Sequence, residues 1–401
     1  MRKDLYTKSL KKSGGAAYIS DLYRKNAEIY KNNILISCGD IFDGSYVTDS
    51  FDGKPQIEWM NKVKYSIFTP GNHDFKFSVN TLKKYCSESN FITLNTNVVD
   101  SNSYLNVFEE SYILDINGVK IGFLAFLTRE GGYNKEIIKK GNINIVDPFQ
   151  IASHYVEKLK EKKVDYIIFI NHMGLEKDKI MAKKFSPDII IGGHSHSVLK
   201  NPVKSGDTLI FHAGAYLQYL GHVLFDIKDN KIEFKDYKLL SVNSDVADED
   251  PEIAGIIEKY HSQVRDYINT QITVVKKEMK KSSDTLYYFL TDNVRKITKS
   301  DICVINKSSI RNGIKAGNVT FRDIYKVFPW EDKAVMFSAK GNVILSERLL
   351  VKENISRDKT YKVVTNSYVF ERLKDKYNLQ NIIVSEKSFR ELIIENLLKE
   401  N

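Results

Sequence analysis

Four short apolar runs in the first half of the chain are each followed by polar residues that can bind a ligand. The runs cover residues 34–38, 65–69, 164–170 and 188–192. The polar residues that follow them are Asp40, Asn72, His73, His172, His194 and His196. Nearly continuous apolar strands are typical of a sheet that is covered on both faces. Ligands of such open α/β sheets bind at the carboxyl ends of the strands, so the pattern predicts one functional edge.

The residue types at this edge indicate a metal site. One carboxylate, one amide oxygen and several imidazoles suit Zn, Mn, Fe or Co, and the set is too rich in nitrogen for Ca or Mg. Two divalent ions about 3.5–4 Å apart form a clamp that supports phosphoryl transfer. Any one histidine alone is more often structural, and it is the repetition over four strand ends that favours the site. His212 ends a further apolar run, and the sequence leaves open whether it supports the site or is simply buried.

The remaining pattern predicts two domains of mixed helices and strands. Asn117-Gly118 predicts a tight hairpin turn. Asp250-Pro251 predicts the start of a long helix, after a polar boundary at residues 241–250. In the second domain we expect a helix through residues 286–294, four strands and a last helix. The four strands are expected at residues 302–305, 334–337, 342–345 and 361–364. A capping box, Ser388 to Glu391, opens the last helix.

Composition narrows the class of protein. The 401 residues are 42% hydrophobic and 28% charged, which is ordinary for a folded protein of two or three domains. The net charge of +9 fits an anionic substrate or a generally lysine-rich composition, and no nucleic-acid motif accompanies it. The three cysteines are too few and too scattered for a disulfide framework. The sequence contains no membrane span and no signal peptide as written. The localisation is left open: cytoplasmic as written, or exported if the start is truncated. The oligomeric state is left open.

Two sets of motifs resemble known families. Gly39-Asp40, Gly71-Asn-His-Asp74, Asn171-His172 and Gly193-His-Ser-His196 resemble the signature of calcineurin-like metallophosphoesterases. Residues 306–311, 317–321 and 327–330 resemble the C-terminal domain of the 5′-nucleotidase and UDP-sugar hydrolase family. The resemblance implies a four-layer α/β/β/α domain over residues 1–245 and a linking helix over 246–272. A smaller α+β substrate-binding domain would then cover residues 273–401.

The resemblance also implies roles for individual residues. Asp40 would bridge two metal ions, with Asn72, His172 and His194 on one ion and His196 on the other. His73 would stabilise the transition state or protonate the leaving oxygen. In the second domain Arg311 would bind phosphate, Asn306 would hydrogen-bond the base and Trp330 would stack on it.

This sequence departs from the family pattern at four places. The strand ending in Asp-x-His that begins the family's chain is reduced here to Asp4-Leu-Tyr6. Lys76 replaces an aspartate that would orient His73, and we expect its ammonium to depress the basicity of that imidazole. Ser308 and Ser309 replace two glycines. A glycine-rich turn that carries a second stacking aromatic is missing, and Phe370 or Tyr368 is the candidate to replace that aromatic.

Two classes of function follow from the sequence. The first is a metal-dependent phosphoesterase that hydrolyses nucleoside 5′-monophosphates or related nucleotides. In this reaction a metal-bound hydroxide would attack the phosphorus atom. The second is a catalytically impaired relative that binds nucleotide with an incomplete metal site, favoured by Lys76 and the altered N-terminal motif. A cyclic-nucleotide or UDP-sugar phosphodiesterase is a further alternative.

Overall fold

The apolar runs form strands of two sheets that pack face to face. The computed structural model describes residues 14–30, 32–43, 45–130, 135–228, 231–347, 350–351 and 353–400. The chain forms two compact units, Met1–His261 and Ser262–Asn401. The candidate metal ligands Asp4 and Tyr6 lie outside the described residues.

Among its described residues, the first unit contains thirteen strands and eight α-helices, the last of which extends beyond it. Its strands are β1 Ile36–Ser37, β2 Ile67–Phe68, β3 Ile92–Thr93, β4 Val98–Asp100, β5 Tyr112–Ile116, β6 Val119–Leu127, β7 Ile143–Ile145, β8 Tyr166–His172, β9 Ile189–Gly192, β10 Val203–Ser205, β11 Thr208–His212, β12 Tyr219–Lys228 and β13 Lys231–Ser241. Its helices are α1 Ala16–Ala27, α2 Tyr46–Ser50, α3 Lys54–Val63, α4 Val79–Ser87, α5 Lys135–Lys140, α6 Pro148–Glu161, α7 Leu175–Phe185 and α8 Pro251–Asn269, the last of which continues into the second unit.

Alternation along the strands divides the core of the first unit into layers. In β2, Phe68 packs into a cluster with α1, α3 and α4, while Ile67 faces the opposite way into the space between the two sheets. In β8, Ile170 faces the same inter-sheet space, and Phe169 faces α6 and α7. Successive side chains of a strand point to opposite faces, so each strand supplies two clusters. The resulting order of helices, sheet, sheet and helices confirms the four-layer α/β/β/α fold.

Parallel pairing places the strand ends of each sheet together. One sheet has the order β1-β2-β3 and is parallel, and the other has the order β10-β11-β9-β8-β6-β5. In the second sheet β6, β8, β9 and β11 run parallel. The hairpin β5–β6 turns at Asn117 and Gly118, with φ of 55° and 87°, as the Asn-Gly signal predicts.

The second unit is a smaller α+β unit. Its strands are β14 Gln271–Val275, β15 Ile302–Val304, β16 Gly317–Thr320, β17 Lys333–Lys340, β18 Thr360–Asn366 and β19 Gln380–Ser388. Its helices, after α8, are α9 Asp284–Ile297, α10 Phe321–Val327, α11 Gly341–Ser346, α12 Ser367–Lys374 and α13 Phe389–Lys399. The sheet order is β15-β18-β17-β19.

Helix starts agree with the capping signals, and one predicted strand is wrong. The Asp250 carboxylate accepts the backbone N–H groups of Glu252 and Ile253 at the start of α8. Ser388 and Glu391 form the expected capping box of α13. Residues 342–345 form helix α11 instead of a strand, because a four-residue apolar run does not distinguish the two. None of the helices among the described residues is long and apolar enough to cross a bilayer.

Candidate metal centre and active site

Four strand ends bring their polar side chains to one place. Asp40 follows β1, Asn72 follows β2, His172 ends β8 and His194 follows β9. The ligand atoms of Asp40, His172 and His194 all lie within 4.8 Å of one another. The structure thus brings together four of the five residues predicted to bind metal.

Distances within this group are those of a shared coordination site. Asn72 Oδ1 lies 3.2 Å from His172 Nε2 and 3.1 Å from His194 Nδ1. Asp40 Oδ2 lies 3.1 Å from His172 Nε2, which is 3.2 Å from His194 Nδ1. Four atoms that mainly accept hydrogen bonds therefore crowd around one point, an arrangement that a cation stabilises.

The surroundings of His172 direct one nitrogen toward that point. Its Nδ1–H donates to the carbonyl oxygen of Cys38 at 2.5 Å, which leaves Nε2 for the ligand group. A side chain on Gly71 would enter the same space, because a Cβ there would lie 2.3 Å from Asp40 Oδ1 and 2.6 Å from His172 Cε1. The donor set and the space both fit a divalent transition-metal ion.

Electrostatics favour the metal-binding forms of Asp40 and His194, whereas the raised pKa of His172 favours its protonated form. Burial raises the pKa of Asp40, but the neighbouring His172 and His73 outweigh it and hold that pKa below its ordinary value. Burial and the charge of His172 lower the pKa of His194 to about 4, so this imidazole is neutral near pH 7. Burial lowers the pKa of His172, but its hydrogen bond to Asp40 outweighs burial and raises it. A bound cation would compete with that proton.

Two residues of the edge have positive φ, and a buried carboxylate holds the loop of one of them, Asp40. Asp40 and His194 have φ of 60° and 73°, in a region unusual for side chains other than glycine. The Asp74 carboxylate accepts the N–H groups of Asp40, Ile41, Phe42 and Gly71 at 2.7–3.0 Å. Asp74 is 1% exposed. Burial and the charge of Asp40 raise its pKa to about 6, although the backbone donors lower it.

His73 lies beside the ligand group. Its backbone N–H donates to Asp40 Oδ1 at 2.9 Å, and its Nδ1 lies 3.1 Å from Asp43 Oδ2. Burial lowers the pKa of His73, but the bond to Asp43 and the charges of Asp40 and Asp43 outweigh it and raise the pKa to about 9. The expectation that Lys76 depresses the basicity of His73 is therefore wrong, since a carboxylate lies between them.

His196 and His212 do not join the ligand group. His196 is exposed, has φ of 56° and lies with its ring 5.2 Å from that of Tyr216. Its role as a ligand of a second ion stays a prediction. His212 is 2% exposed, and its Nε2 lies 2.7 Å from Asp178 Oδ2. Asp178 also accepts from Asn171 Nδ2 at 2.8 Å, so His212 joins a buried network behind the strand ends.

In the second unit, three of the four predicted substrate residues lie close together in a small network. The Arg311 guanidinium lies 4.7 Å from the Trp330 ring centre, and Trp330 Nε1–H donates to the Ser309 carbonyl at 2.8 Å. Asn306 Oδ1 accepts from Asn366 Nδ2 at 3.2 Å. Arg311 is exposed and Trp330 is half-buried.

Phe370 is placed differently from the prediction. It is 6% exposed and packs in the core of the sheet, with its ring 5.7 Å from that of Phe337. A ring buried in this way cannot stack on a ligand, so the structure contradicts Phe370 as a substrate contact. Tyr368, on the same helix α12, is 62% exposed. Residues two positions apart on a helix do not share a face, so Tyr368 and Phe370 point in different directions from α12.

Comparison with family models identifies both parts of the chain. Residues 4–198 match the model of the calcineurin-like phosphoesterases, and residues 261–350 match the 5′-nucleotidase C-terminal domain. The first part of this chain is thus similar to the calcineurin-like phosphoesterases. The second part is similar to the C-terminal domain of 5′-nucleotidases.

Individual relatives show the same similarity. The chain is 24% identical over 368 residues to a 5′-nucleotidase of Vibrio cholerae, covering 78% of this chain and 66% of the relative. It is 23% identical over 388 residues to protein UshA of Yersinia enterocolitica, covering 81% and 69%. The chain thus spans about two thirds of the length of these curated relatives. The solved structure of a 5′-nucleotidase precursor from Thermus thermophilus superposes with a TM-score of 0.80 at 19% identity, covering 97% of this chain and 91% of that one.

Three polar residues near the candidate sites were not singled out from the sequence. Asp74 was visible in the Gly-Asn-His-Asp motif, but its four backbone partners come from two separate loops. Asp43 lies 30 residues before His73 in the chain, so no local spacing marks the pair. Asp332 accepts from Asn366 Nδ2 at 2.9 Å. The one sequence signal for Asp332 was its position two residues after Trp330 of the Pro-Trp motif.

Proposed function

We propose that this protein is a metal-dependent phosphoesterase that hydrolyses nucleoside 5′-monophosphates or related nucleotides. The observation that carries the proposal is the convergence of Asp40, Asn72, His172 and His194, with His73 beside them. The names of the relatives, 5′-nucleotidase among them, point to the same class of substrate. Because the match spans about two thirds of those relatives, the activity of the whole protein is a proposal.

The four ligands would hold at least one divalent ion. Such an ion supplies Lewis acidity, which polarises a phosphoryl oxygen and makes a bound water more acidic. The chain's own contribution is to fix the ligands: Cys38 orients His172, and Asp74 holds the strained loop of Asp40. His73 would transfer a proton to the leaving oxygen or stabilise the developing charge, with Nδ1 held by Asp43 and Nε2 available. The number and identity of the ions belong to the proposal.

The second unit would recognise the nucleotide. Arg311 is exposed, and its planar guanidinium suits a phosphate group. Trp330 is half-buried and anchored through its Nε1–H, and a base would stack on its ring in place of, or beside, the Arg311 guanidinium. Asn306 carries an amide that can hydrogen-bond a base edge.

The test is release of inorganic phosphate from AMP, UMP and UDP-glucose by metal-stripped protein to which Mn or Zn is returned. We expect turnover that depends on added metal and falls in a His73→Ala variant. Turnover equal to that of His73→Ala in all three substrates and both metals would refute the proposal. Binding of nucleotide in a calorimeter without phosphate release would instead identify the impaired, nucleotide-binding relative. Elemental analysis of the protein gives the number of ions per chain.

A further inference from the structure

The carboxylate partner of His73 comes from a distant loop. Asp43 lies after β1, and its Oδ2 is 3.1 Å from His73 Nδ1. The other oxygen, Oδ1, lies 3.3 Å from Lys76 Nζ. The Asp43 carboxylate therefore lies between the imidazole and the ammonium and contacts both.

Lys76 connects Asp43 to a second carboxylate. Its Nζ lies 2.6 Å from Asp49 Oδ1, on helix α2. The side chains of Lys76, Asp49 and Asp43 are 17%, 12% and 25% exposed, so this ion pairing is largely shielded from solvent. Shielded pairs are less weakened by salt and solvent than surface pairs. The row His73, Asp43, Lys76 and Asp49 is thus an ordered unit at the edge of the site.

Local geometry explains why Lys76 is so near. Residues Asn72–Phe75 form a 3₁₀ turn, and Lys76 is its C-cap. Side chains three residues apart in a 3₁₀ turn lie above one another, so residues 73 and 76 share a side. A lysine at this position cannot accept a hydrogen bond from the imidazole, but it can hold a carboxylate that does.

We propose that Asp43 is the positioning residue of His73, and that Lys76 holds Asp43 in place by bridging it to Asp49. The catalytic part of this inference rests on the proposed function, in which His73 acts on the leaving oxygen. The positional part concerns the His73–Asp43 pair itself, and it stands or falls on its own measurement.

The first test compares kinetic constants. Asp43→Asn keeps the size of the side chain and removes the charge, and we expect kcat to fall about 10- to 100-fold while KM stays within about twofold. Lys76→Met should give a smaller fall of about 3- to 10-fold, because Asp43 stays but loses its support. Asp226→Asn is the matched control, since Asp226 is also paired with lysines, Lys228 and Lys235, but on strand β12. Its kcat should equal that of the wild type.

A charge exchange separates positioning from simple folding. In Asp43→Lys with Lys76→Asp the carboxylate moves to the position directly above His73, and the total charge is kept. We expect this double variant to recover to within about tenfold of the wild type, well above Asp43→Lys alone. A double variant that melts like the wild type but is no more active than Asp43→Lys counts against the pairing.

The second test does not need activity. In protein labelled with ¹⁵N-histidine, the His73 signals are those absent from His73→Gln. We expect a hydrogen-bonded Nδ1–H in the wild type that moves upfield in Asp43→Asn, less so in Lys76→Met, and not in Asp226→Asn. An unchanged signal and unchanged kcat in Asp43→Asn would overturn the inference. If the wild type releases no phosphate at all, the proposed function fails, while this signal still decides whether Asp43 positions His73.

Discussion

The two units hold their candidate functional residues in different ways. In the first unit the ligands are fixed on several sides: His172 is 1% exposed and Asn72 8% exposed, and their partners are backbone atoms and one another. In the second unit Arg311 is exposed and rests on the face of Trp330. The first arrangement is preorganised for an ion, whereas the second leaves a long side chain free to adjust to a ligand. Chemistry on a phosphoryl group demands the former, and recognition of varied nucleotides tolerates the latter.

The largest expected effect comes from breaking the preorganised group. His172→Ala removes an imidazole that lies within 3.2 Å of both Asn72 Oδ1 and His194 Nδ1. Loss of Lewis-acid assistance amounts to several kcal/mol, so we expect kcat/KM to fall about 1,000-fold or more and bound metal to decrease. Phosphate release and elemental analysis measure the two effects. His154→Ala, a histidine on α6, is the control, and a His172→Ala protein with full metal and activity would contradict the assignment.

Next in size is the loss of the anchor beneath that group. Asp74→Asn replaces a carboxylate that accepts four backbone N–H groups by an amide with one acceptor oxygen. Relief of the buried charge offsets part of the cost, and we expect a net loss of about 2–4 kcal/mol in the free energy of unfolding. Denaturant unfolding followed by circular dichroism measures it.

The matched control for Asp74 is Asp100→Asn. Asp100 also accepts two backbone N–H groups, from Asn102 and Ser103, but in an exposed turn. The Asp100→Asn variant should lose less than about 1 kcal/mol of unfolding free energy. Equal losses in the two variants would show that Asp74 is no more than an ordinary turn residue.

A smaller effect, on binding alone, is expected in the second unit. Arg311→Ala removes the guanidinium above Trp330, and we expect KM for a nucleotide to rise about 10- to 30-fold with kcat changed less than about threefold. Arg311→Lys keeps the charge but loses the planar fork, so it should recover only part of the affinity. A fall in kcat equal to the change in kcat/KM would instead place Arg311 in the chemical step. Lys315→Ala, an exposed cation in the same unit, is the control.

Sequence reasoning was strongest where residue choice is local. The ends of β1, β2, β8 and β9 were predicted because an apolar run followed by Asp, Asn or His is visible along the chain, and the sheet brings these ends together. The Asp43–His73 pair could not be predicted, since it depends on the approach of two loops. Phe370 and Tyr368 differ by two positions on one helix, and only the packing of α12 against Phe337 decides which ring is buried. Strand β19 was missed because its central residues are exposed and do not alternate.

The smallest expected effect concerns the polar residues of the second unit and their dependence on pH. Burial raises the pKa of Asp332, although hydrogen bonds from Asn366 and Ser367 lower it. A carboxyl group whose pKa is raised by folding binds its proton more tightly in the folded state. The contribution of Asp332 to the free energy of unfolding is therefore complete below the ordinary aspartate pKa of about 4, and it is lost as the pH rises through the raised pKa.

Asp332→Asn keeps an acceptor for Asn366 and removes the charge. We expect the variant to gain up to about 1 kcal/mol of unfolding free energy over the wild type at pH 8, and the gain to vanish toward pH 4. Unfolding curves at both pH values measure this, and a gain that grows as the pH falls would show that the charge of Asp332 stabilises the fold. Such a result would make the second unit as preorganised around a charge as the metal-binding edge, and the contrast between the two units would narrow.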